Sequence, residues 1–394
     1  MRLGILTSHP IQYQAPWFRA LAKEVDLEVF FCHRQSAAEQ GKAGFGVAFD
    51  WDVDLLSGYQ HRFLKNISAR PGVNRFFGCD TPEIEKMIRE GKFDAFIVSG
   101  WHLKSSWQAA RACRRLGVTV LVRGDSQLHT PRSRLKRWVK EILYRPLLRR
   151  FDGFLLVGQR SREYLVHYGV PADKMISVPH FVDTEWFAAR AAEARGQRPE
   201  IRVQWGVDEK TLVVLFVGKF QPIKRPQDIL HALATFNSEH SAFNIIPVFV
   251  GSGEMEKYLK ELASSLKVVA RFEGFKNQTE LPRYYAAADV VVLPSESETW
   301  GLVVNEAMAC GCPAIVSNAV GCAPDLIAEG KTGFTFRVGN VPQLAERLAA
   351  LAEMNQSGHN FQPALAERMR AYSVKEAVKG TMEAVNKLHV KIRE

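Results

Sequence analysis

Short apolar runs alternate with helical stretches along the first half of the chain. The first run, Arg2–Thr7, is followed by a polar loop at Ser8–Gln14 and by a helical pattern over Ala15–Lys23. Such alternation predicts an α/β domain built on a parallel, doubly wound sheet. The other elements predicted in this half are strands at Leu27–Cys32, Ala95–Val98, Thr119–Val122 and Phe154–Val157 and a helix at Ser106–Leu116.

The same alternation restarts after residues 188–200, an Ala/Arg-rich stretch without an apolar stripe that we interpret as a linker or an exposed helix end. The chain is therefore predicted to hold two Rossmann-like domains facing a central cleft, one over 1–195 and one over 196–373. The amphipathic last helix, 374–394, is expected to pack back on the first domain. The second half has predicted strands at Leu212–Val217, Ile245–Val250, Val268–Phe272, Val290–Leu293 and Ala314–Ser317 and predicted helices at Pro226–Phe236 and Glu254–Leu266.

Composition is typical of a globular protein, with 46% hydrophobic and 24% charged residues in a chain of 394. No apolar run approaches the roughly 18 residues of a membrane-spanning helix, and the N-terminus lacks a signal-peptide pattern. The six cysteines have no metal-site or disulfide spacing, so buried reduced thiols are expected. These features favour the cytoplasm, including the inner face of a membrane.

Charge is concentrated in the first half. Residues 1–200 hold 31 Lys/Arg against 21 Asp/Glu, whereas residues 201–394 hold 21 of each. The densest basic stretch, 132–150, also carries apolar residues such as Trp138 and Ile142 at helical spacing. We weigh two interpretations, a surface helix whose apolar stripe docks on the core and a helix lying on an anionic membrane. Nucleic acid is not expected as a partner, because no groove-reading motif accompanies the charge.

Ligands of open parallel sheets bind beyond the carboxyl ends of the strands, so the loops there are candidates for chemistry. After the strand at 212–217, Gly218 permits close backbone approach, and Lys219 and Lys224 flank a proline turn before a helix. Cations beside a helix start attract a diphosphate. After the strand at 245–250, a Gly-Ser-Gly sequence resembles a dinucleotide fingerprint, but Glu256 stands where its third glycine belongs.

Two carboxylates, Glu298 and Glu306, follow the strand at 290–293. A helix is predicted from about Gly301 to Ala309, which puts Glu298 in the preceding loop and Glu306 in the second turn. A carboxylate accepts two hydrogen bonds from a vicinal diol of a ribose or hexose. The first amides of the helix, at Trp300, Gly301 and Leu302, are expected to face an anion or a sugar oxygen. Alternatively, Glu298 is a surface residue and Glu306 is paired internally.

Residues 211–334 closely resemble the nucleotide-binding domain of family-4 glycosyltransferases, which are retaining enzymes of the GT-B fold. Each motif is weak by itself, but their order along the chain is specific. The motifs are Val217-Gly218-Lys219 with Lys224, Gly251-Ser252-Gly253, Phe272-Glu273-Gly274-Phe275, the stretch from Leu281 to Asp289, Pro294-Ser295, the Glu298/Glu306 pair, the stretch from Glu306 to Pro313, and Gly321-Cys322-Ala323-Pro324-Asp325.

The resemblance implies roles for these residues. Glu298 would contact hydroxyls of the transferred sugar, and Glu306 would hold the donor ribose. Lys219 and Lys224 correspond to the basic pair on the donor diphosphate. Gly274, Phe275 and Lys276 would line the base site, and the amides of Trp300, Gly301 and Leu302 would face the sugar. The family uses cationic side chains and helix ends at the diphosphate, so neither a metal nor a cofactor is expected.

The sequence departs from the family at three places. Lys219 stands where arginine is usual, Arg225 stands where glycine usually follows the second lysine, and Ser8–Gln14 replaces the usual Gly-rich loop. The first half matches less tightly, through Val178–Thr184 and through Val122–Ser126, where relatives often carry a His-containing acceptor motif. His9, Arg123 and Asp125 are therefore candidates on the acceptor side, although Asp125 also fits a simple turn cap. The Ser8–Gln14 loop and the aromatic-rich segment Phe45–Tyr59 are expected to shape the acceptor site.

The function expected from residues and resemblance together is retaining transfer of a sugar from a nucleotide diphosphate sugar, with UDP as the favoured carrier. The acceptor would be a glycan, a lipid-linked compound or a small molecule, as in glycolipid or cell-envelope polysaccharide synthesis. Lys219, Lys224, Glu298 and Asp125 are the predicted catalytic residues. The alternatives are a sugar-nucleotide epimerase, a phosphorylase with a lysine-linked cofactor, and a non-catalytic nucleotide-sugar-binding partner of an envelope-assembly complex.

Overall fold

The computed structural model describes residues 1–130, 133–239 and 244–393. Contacts divide the chain into two domains. Domain 1 comprises Met1–Gln35, Asp54–Val182 and the chain from Tyr372 onward, and domain 2 comprises Ser36–Val53 and Asp183–Ala371. The division thus falls after Val182 instead of at 195, because the helix over Thr184–Arg195 buries Phe187 and Ala191 in domain 2.

Domain 1 is built on a seven-stranded parallel sheet with strand order β3-β2-β1-β4-β5-β6-β7. The predicted doubly wound sheet is confirmed. Two edge strands, β3 and β7, were not predicted, because one is polar and the other has only three residues. The strands are β1 (Arg2–Thr7), β2 (Asp26–Phe31), β3 (Gln60–Phe63), β4 (Ala95–Ser99), β5 (Thr119–Gly124), β6 (Gly153–Leu156) and β7 (Met175–Ser177).

Domain 2 is built on a second parallel sheet, of six strands, with the order β10-β9-β8-β11-β12-β13. Its first strand in the chain, β8, lies between β9 and β11, so the strand order reverses there. In open sheets this reversal opens a crevice for ligands beyond the strand ends. The strands are β8 (Leu212–Val217), β9 (Ile245–Val250), β10 (Arg271–Gly274), β11 (Val290–Leu293), β12 (Ala314–Ser317) and β13 (Gly333–Phe336).

Helices connect the strands in both domains. In chain order they are α1 (Gln14–Leu21), α2 (Ala37–Gln40), α3 (Ile84–Gly91), α4 (Lys104–Leu116), α5 (Arg134–Leu148), α6 (Gln159–His167), α7 (Thr184–Arg195), α8 (Arg198–Gln204), α9 (Gln227–Glu239), α10 (Glu256–Ser265), α11 (Leu281–Ala287), α12 (Leu302–Ala309), α13 (Ala323–Leu326), α14 (Val341–Gln356), α15 (Gln362–Ala371) and α16 (Val374–Arg393).

Of the two interpretations of residues 188–200, the linker is wrong and the exposed helix end is confirmed, because α7 ends at Arg195 and most of these residues are exposed. They lie in α7 and α8, which pack against α11 of domain 2. Alanines carry the buried face of α7, so no large apolar stripe marks it in the sequence. In α8, Arg202 is 1% exposed and its guanidinium lies 3.2 Å from the carboxylate of Asp289. Arg198 donates to the other oxygen of the same carboxylate at 2.7 Å.

The last helix, α16, belongs to domain 1. Ala377, Ala384, Val385 and Leu388 are buried in one of the two apolar clusters of this domain, together with residues of β1, β2 and β4. The helix also contacts α1 and β5, β6 and β7. Domain 1 therefore completes its core with the last described segment of the chain. All six cysteines of the protein are buried and free, in agreement with the expected buried thiols.

The basic helix α5 presents its apolar stripe outward. Five large apolar side chains on it are exposed, namely Leu135 (70%), Trp138 (63%), Val139 (39%), Ile142 (53%) and Leu143 (49%). The docked face carries Lys140, Tyr144 and Leu148 instead, with the Lys140 ammonium 4.5 Å from the Tyr144 ring centre. The interpretation in which the stripe docks on the core is therefore wrong. Arg132 and the side chains of Lys136 and Arg137 lie outside the described residues.

Within the described part of the chain, no helix combines the length and apolar character that crossing a bilayer requires.

Candidate active site

The neighbouring strands β8 and β11 bring two predicted loops together in domain 2. Val214 pairs with Val290 and Leu215 with Val291, so both strands end at the same edge of the sheet. Lys219 and Lys224 follow β8, and Glu298 follows β11. The Glu296 amide donates to the Ile223 carbonyl at 2.9 Å, which joins the two loops directly.

Lys224 and Glu298 form an ion pair, with the ammonium donating to Oε2 of the carboxylate. Both side chains are about four-fifths buried, at 21% and 19% exposure. Burial lowers the pKa of the nearby Lys219, and the charge of Lys224 lowers it further. The site therefore concentrates two positive charges and one negative charge in a poorly hydrated place, where an added anion is attracted strongly.

Arg225 explains one departure from the family pattern. Its φ of 51° is in the left-handed region, the conformation that glycine adopts without cost at this position. The guanidinium donates to both carboxylate oxygens of Asp228, at 2.7 and 3.1 Å, and Asp228 is 2% exposed. This bidentate pair with the first turn of α9 holds the strained turn that presents Lys224.

The loop before α12 is fixed by backbone and side-chain bonds. The carbonyls of Glu298 and Trp300 accept from the amides of Gly321 and Cys322, both at 2.9 Å, and Trp300 Nε1 donates to Asn305 at 2.7 Å. Gly301, with a φ of 102°, turns the chain into the helix. The predicted helix is confirmed, since α12 spans Leu302–Ala309. Its first turn directs backbone amides toward the edge where the lysines lie.

Glu306 is buried in α12, at 5% exposure, and has internal partners. The Tyr285 hydroxyl donates to its carboxylate at 2.7 Å, and the side chain of Gln278 also bonds it. Burial raises the pKa of Glu306 to about 7, although both hydrogen bonds act to lower it. Burial likewise raises the pKa of Tyr285 well above its usual value. The carboxyl thus titrates near neutrality.

The predicted base segment, Gly274 to Lys276, follows β10. Phe275 contacts two aromatic rings from an early part of the chain. Its ring centroid lies 5.2 Å from that of Phe45 and 4.5 Å from that of Phe49. Lys276 lies 3.8 Å from the carboxylate of Glu280.

The Gly-Ser-Gly motif after β9 has a packing role. A side chain on Gly251 would come within 1.9 Å of the Gly218 carbonyl oxygen, and one on Gly253 within 2.8 Å of the Phe220 amide. The glycines therefore let the loop after β9 lie directly on the loop after β8.

The acceptor-side candidates belong to domain 1. Arg123 is the last residue but one of β5, is 6% exposed, and donates to the Pro179 carbonyl at 3.2 Å, while its guanidinium carbon lies 5.1 Å from the Phe181 ring centre. Burial lowers its pKa. Asp125 interacts electrostatically with Arg123 and with Tyr13, whose ring lies 5.1 Å from that of His180.

The contacts around Arg123 also include His180. Burial, followed by the charge of Arg123, lowers the pKa of His180 well below its usual value. His9 bonds Ser8 at 2.9 Å, and the contacts described above link Arg123 and Asp125 to Tyr13 and His180. Tyr13 and His180 were not predicted, although both lie in segments singled out from the sequence.

Domain 2 differs from the sequence expectation in two further ways. Tyr285 lies inside a recognised motif but carries no charge to mark it. Phe45 and Phe49 belong to a segment expected to shape the acceptor site, but they pack against Phe275 of the predicted base segment. No group of three or more His, Cys, Asp or Glu side chains able to hold a metal ion occurs among the residues that the structure describes.

The fold and the paired lysine and glutamate loops define a glycosyltransferase of the GT-B type. Family models match both halves of the chain. Residues 17–186 match the model described as Glycosyltransferase Family 4, and residues 197–372 match Glycosyl transferases group 1. The matches leave out only the two ends and residues 187–196. The chain belongs to the family-4 glycosyltransferases.

Curated relatives and solved structures agree with this assignment. The D-inositol 3-phosphate glycosyltransferase of Thermomonospora curvata is 30% identical over 251 residues, which are 58% of each chain. The chain spans about half the length of the curated relatives it matches.

Two solved structures have the same fold over nearly their whole length. A Rickettsia africae glycosyltransferase has a TM-score of 0.74 and 13% identity, with 98% of each chain covered. Anabaena Alr3699/HepE in complex with UDP and glucose has a TM-score of 0.69 and 18% identity, with 98% of this chain and 99% of that chain covered.

Proposed function

We propose that this chain transfers a sugar from a UDP-sugar to an acceptor hydroxyl with retention of the anomeric configuration, in the synthesis of a glycan, glycolipid or cell-envelope polysaccharide. The observation that carries the proposal is the pairing of Lys224 with Glu298 beside Lys219, at the point where the strand order of domain 2 reverses. Uridine as the base is supported by the solved neighbour Alr3699/HepE, whose structures contain UDP and UDP-glucose.

Each residue of this site has a definite task in the proposed reaction. The bond between the anomeric carbon and the diphosphate breaks, and negative charge grows on the leaving oxygen. Lys219, Lys224 and the first amides of α12 stabilise that charge, which makes a metal ion unnecessary. Glu298 accepts from hydroxyls of the transferred sugar, and Glu306 accepts from the ribose.

The acceptor oxygen forms the new bond on the face that the diphosphate leaves, and the acceptor proton passes to the departing diphosphate. No side chain acts as a nucleophile. Arg123, Asp125 and His9 of domain 1 orient the acceptor, and Asp125 is assigned a catalytic role.

The test compares Lys224→Ala and Glu298→Ala with Lys257→Ala, a control at a lysine that is 88% exposed on α10. Release of UDP from a panel of UDP-sugars in the presence of acceptor extracts is measured. The two site variants should lose roughly 100-fold or more in rate while staying folded, because each removes a contact to the transition state. Near-wild-type turnover in either variant contradicts the role assignments.

The same assay separates the alternative functions. An epimerase converts the donor without any acceptor, and a phosphorylase shows absorbance from a bound pyridoxal. A non-catalytic partner binds the nucleotide sugar in calorimetry but releases no nucleoside diphosphate with any acceptor extract.

Helix α5 supports a membrane-bound acceptor. We propose that its outward face lies on a bilayer that contains anionic lipids. Trp138, Leu135 and Ile142 are each more than half exposed, and Arg134, Arg145 and Arg149 beside them are exposed as well. Apolar side chains flanked by arginines match the interface of an anionic membrane, where each basic residue contributes about 1 kcal/mol.

Sedimentation with vesicles tests this surface. The double variant Trp138→Ser/Ile142→Ser should lose about tenfold or more in binding to vesicles with roughly 30% anionic lipid. This composition represents the negative surface of a cytoplasmic leaflet. The control is Val203→Ser/Val269→Ser, which removes two apolar side chains that are 73% and 63% exposed in domain 2. Equal binding of the wild type and both double variants contradicts the membrane proposal. A dimer of the wild type that only Trp138→Ser/Ile142→Ser abolishes also contradicts it, because the apolar face would then bind a second copy of the chain.

A further inference from the structure

Residues 36–53, here called the strap, leave domain 1 after β2 and pack in domain 2 before the chain returns to β3. The strap begins with the short helix α2, whose first turn is closed by reciprocal bonds between Ser36 and Glu39. A single wide turn over Gly41–Phe45 follows. These local hydrogen bonds give the strap a defined backbone conformation in domain 2.

The strap is attached to the two loops that follow β9 and β10. Ser252, inside the Gly-Ser-Gly motif, donates to the Phe45 carbonyl at 2.5 Å. Asn277 donates to the Asp50 carbonyl at 2.7 Å, and the Thr279 amide donates to the Asp52 carboxylate at 3.2 Å. The loop after β10 carries residues that the family resemblance assigns to the base site, and the loop after β9 carries one of the motifs of that resemblance.

Aromatic packing closes the space between these attachments. Phe49 is 8% exposed and lies against Phe275 of the predicted base segment, and Phe45 meets the edges of both rings. Trp51 adds a further edge contact to Phe49, at 5.1 Å. The strap thus forms an apolar wall beside the predicted base site.

The same wall reaches the predicted diphosphate site. The Lys219 ammonium lies 4.9 Å from the centre of the Phe45 ring, within range of a cation–π interaction. A side chain on Gly44 would come within 3.1 Å of Lys219 Cδ, so the backbone of the strap runs along the lysine stem. The ring and the backbone together restrict where this ammonium can go.

We propose that Phe45 is a positioning residue of the donor site, which holds the Lys219 ammonium where the donor diphosphate binds. This inference rests on the proposed function. A ring occupies one side of the ammonium and leaves N–H donors for phosphate oxygens, because an ammonium has three of them. The ring also keeps water away, which strengthens the attraction between ammonium and phosphate. Lysine in place of the usual arginine makes this support more important, since lysine lacks the rigid fork of arginine.

The test measures binding of inorganic pyrophosphate, UDP and uridine by calorimetry. Phe45→Leu keeps an apolar side chain but removes the ring, and Phe45→Trp restores a ring. Phe49→Leu is the matched control, because it loosens the strap without touching Lys219. Phe45→Leu should weaken pyrophosphate and UDP roughly tenfold and leave uridine unchanged, given the usual strength of a cation–π contact. Phe45→Trp should bind as the wild type does.

A double-mutant cycle with Lys219→Met separates positioning from simple packing. In the Lys219→Met background, Phe45→Leu should have no further effect on pyrophosphate affinity. Additive losses, or equal losses for Phe45→Leu and Phe49→Leu, overturn the inference while leaving the proposed function intact. A wild-type protein that binds neither pyrophosphate nor UDP overturns both. If Phe45→Leu is poorly folded by circular dichroism, Phe45→Met replaces it in each arm.

Discussion

The buried carboxyl of Glu306 makes the stability of domain 2 depend on pH, and Glu306→Gln should remove this dependence. Its carboxyl is 5% exposed, and burial raises its pKa from 4.5 to about 7. Glu306→Gln replaces it with a side chain of the same shape that does not titrate. The Gln oxygen still accepts from the Tyr285 hydroxyl, so the local packing is retained.

The sign follows from where the proton is bound. Between pH 4.5 and pH 7 the folded protein keeps a proton on Glu306 that the unfolded chain has released, so stability is lost as pH rises through this range. At about 1.4 kcal/mol for each pH unit, the full loss is about 3 kcal/mol, and most of it falls between pH 5 and pH 8. Relative to the wild type, Glu306→Gln should therefore become more stable by about 2 to 3 kcal/mol from pH 5 to pH 8.

Urea unfolding followed by tryptophan fluorescence at several pH values measures this difference. Groups shared by both proteins cancel, so the difference isolates residue 306. Glu261→Gln, at a site that is 66% exposed on α10, is the control and should run parallel to the wild type. Parallel curves for Glu306→Gln and the wild type would refute the argument that burial controls this carboxyl.

Two further predictions concern the frame that holds the site. Arg225→Ala should destabilise the protein by about 2 kcal/mol, because it leaves the carboxylate of Asp228 buried without its bidentate partner. Arg225→Gly should cost about 1 kcal/mol less, because glycine adopts the left-handed backbone conformation without strain. Equal urea midpoints for the two variants would show that backbone strain is unimportant at this position. Asp289→Asn should cost about 3 kcal/mol, since it removes the charge facing the buried Arg202, and a calorimetric melting temperature within 1 or 2 °C of the wild type would contradict this.

The meeting of Lys224 and Glu298 was predictable because each lies in a loop that follows a strand directly. The runs at 212–217 and 290–293 are continuous and apolar, and each ends in a loop with lysine, proline or glutamate. The rule that parallel strands end at one edge then brings Lys224 and Glu298 together. The sequence also indicated that a buried Glu306 needs a partner. It did not identify Tyr285, because a tyrosine on a neighbouring helix carries no local signal of the bond it makes.

Other features depend on contacts between distant parts of the chain. The strap residues Phe45 and Phe49 lie more than two hundred positions before Phe275, and no periodicity links them. The outward face of α5 shows a second limit. An amphipathic pattern identifies the apolar side of a helix, but whether that side meets the core depends on its neighbours, and here Lys140 and Tyr144 take the inner side. In α7, small alanines make up much of the buried face. Because the sequence there shows no large apolar stripe, it resembles a linker.

The exchange of segments between the two domains has a consequence for how the protein is made. Domain 1 contains α16, which is synthesised after the segments of domain 2, and domain 2 contains the strap, which is synthesised before most of domain 1. Many two-domain proteins fold their N-terminal domain while the rest is still being translated. In this protein α16 contacts β5, β6 and β7 and buries Ala384, Val385 and Leu388 in the core of domain 1. Domain 1 therefore completes its core only after domain 2 has been translated.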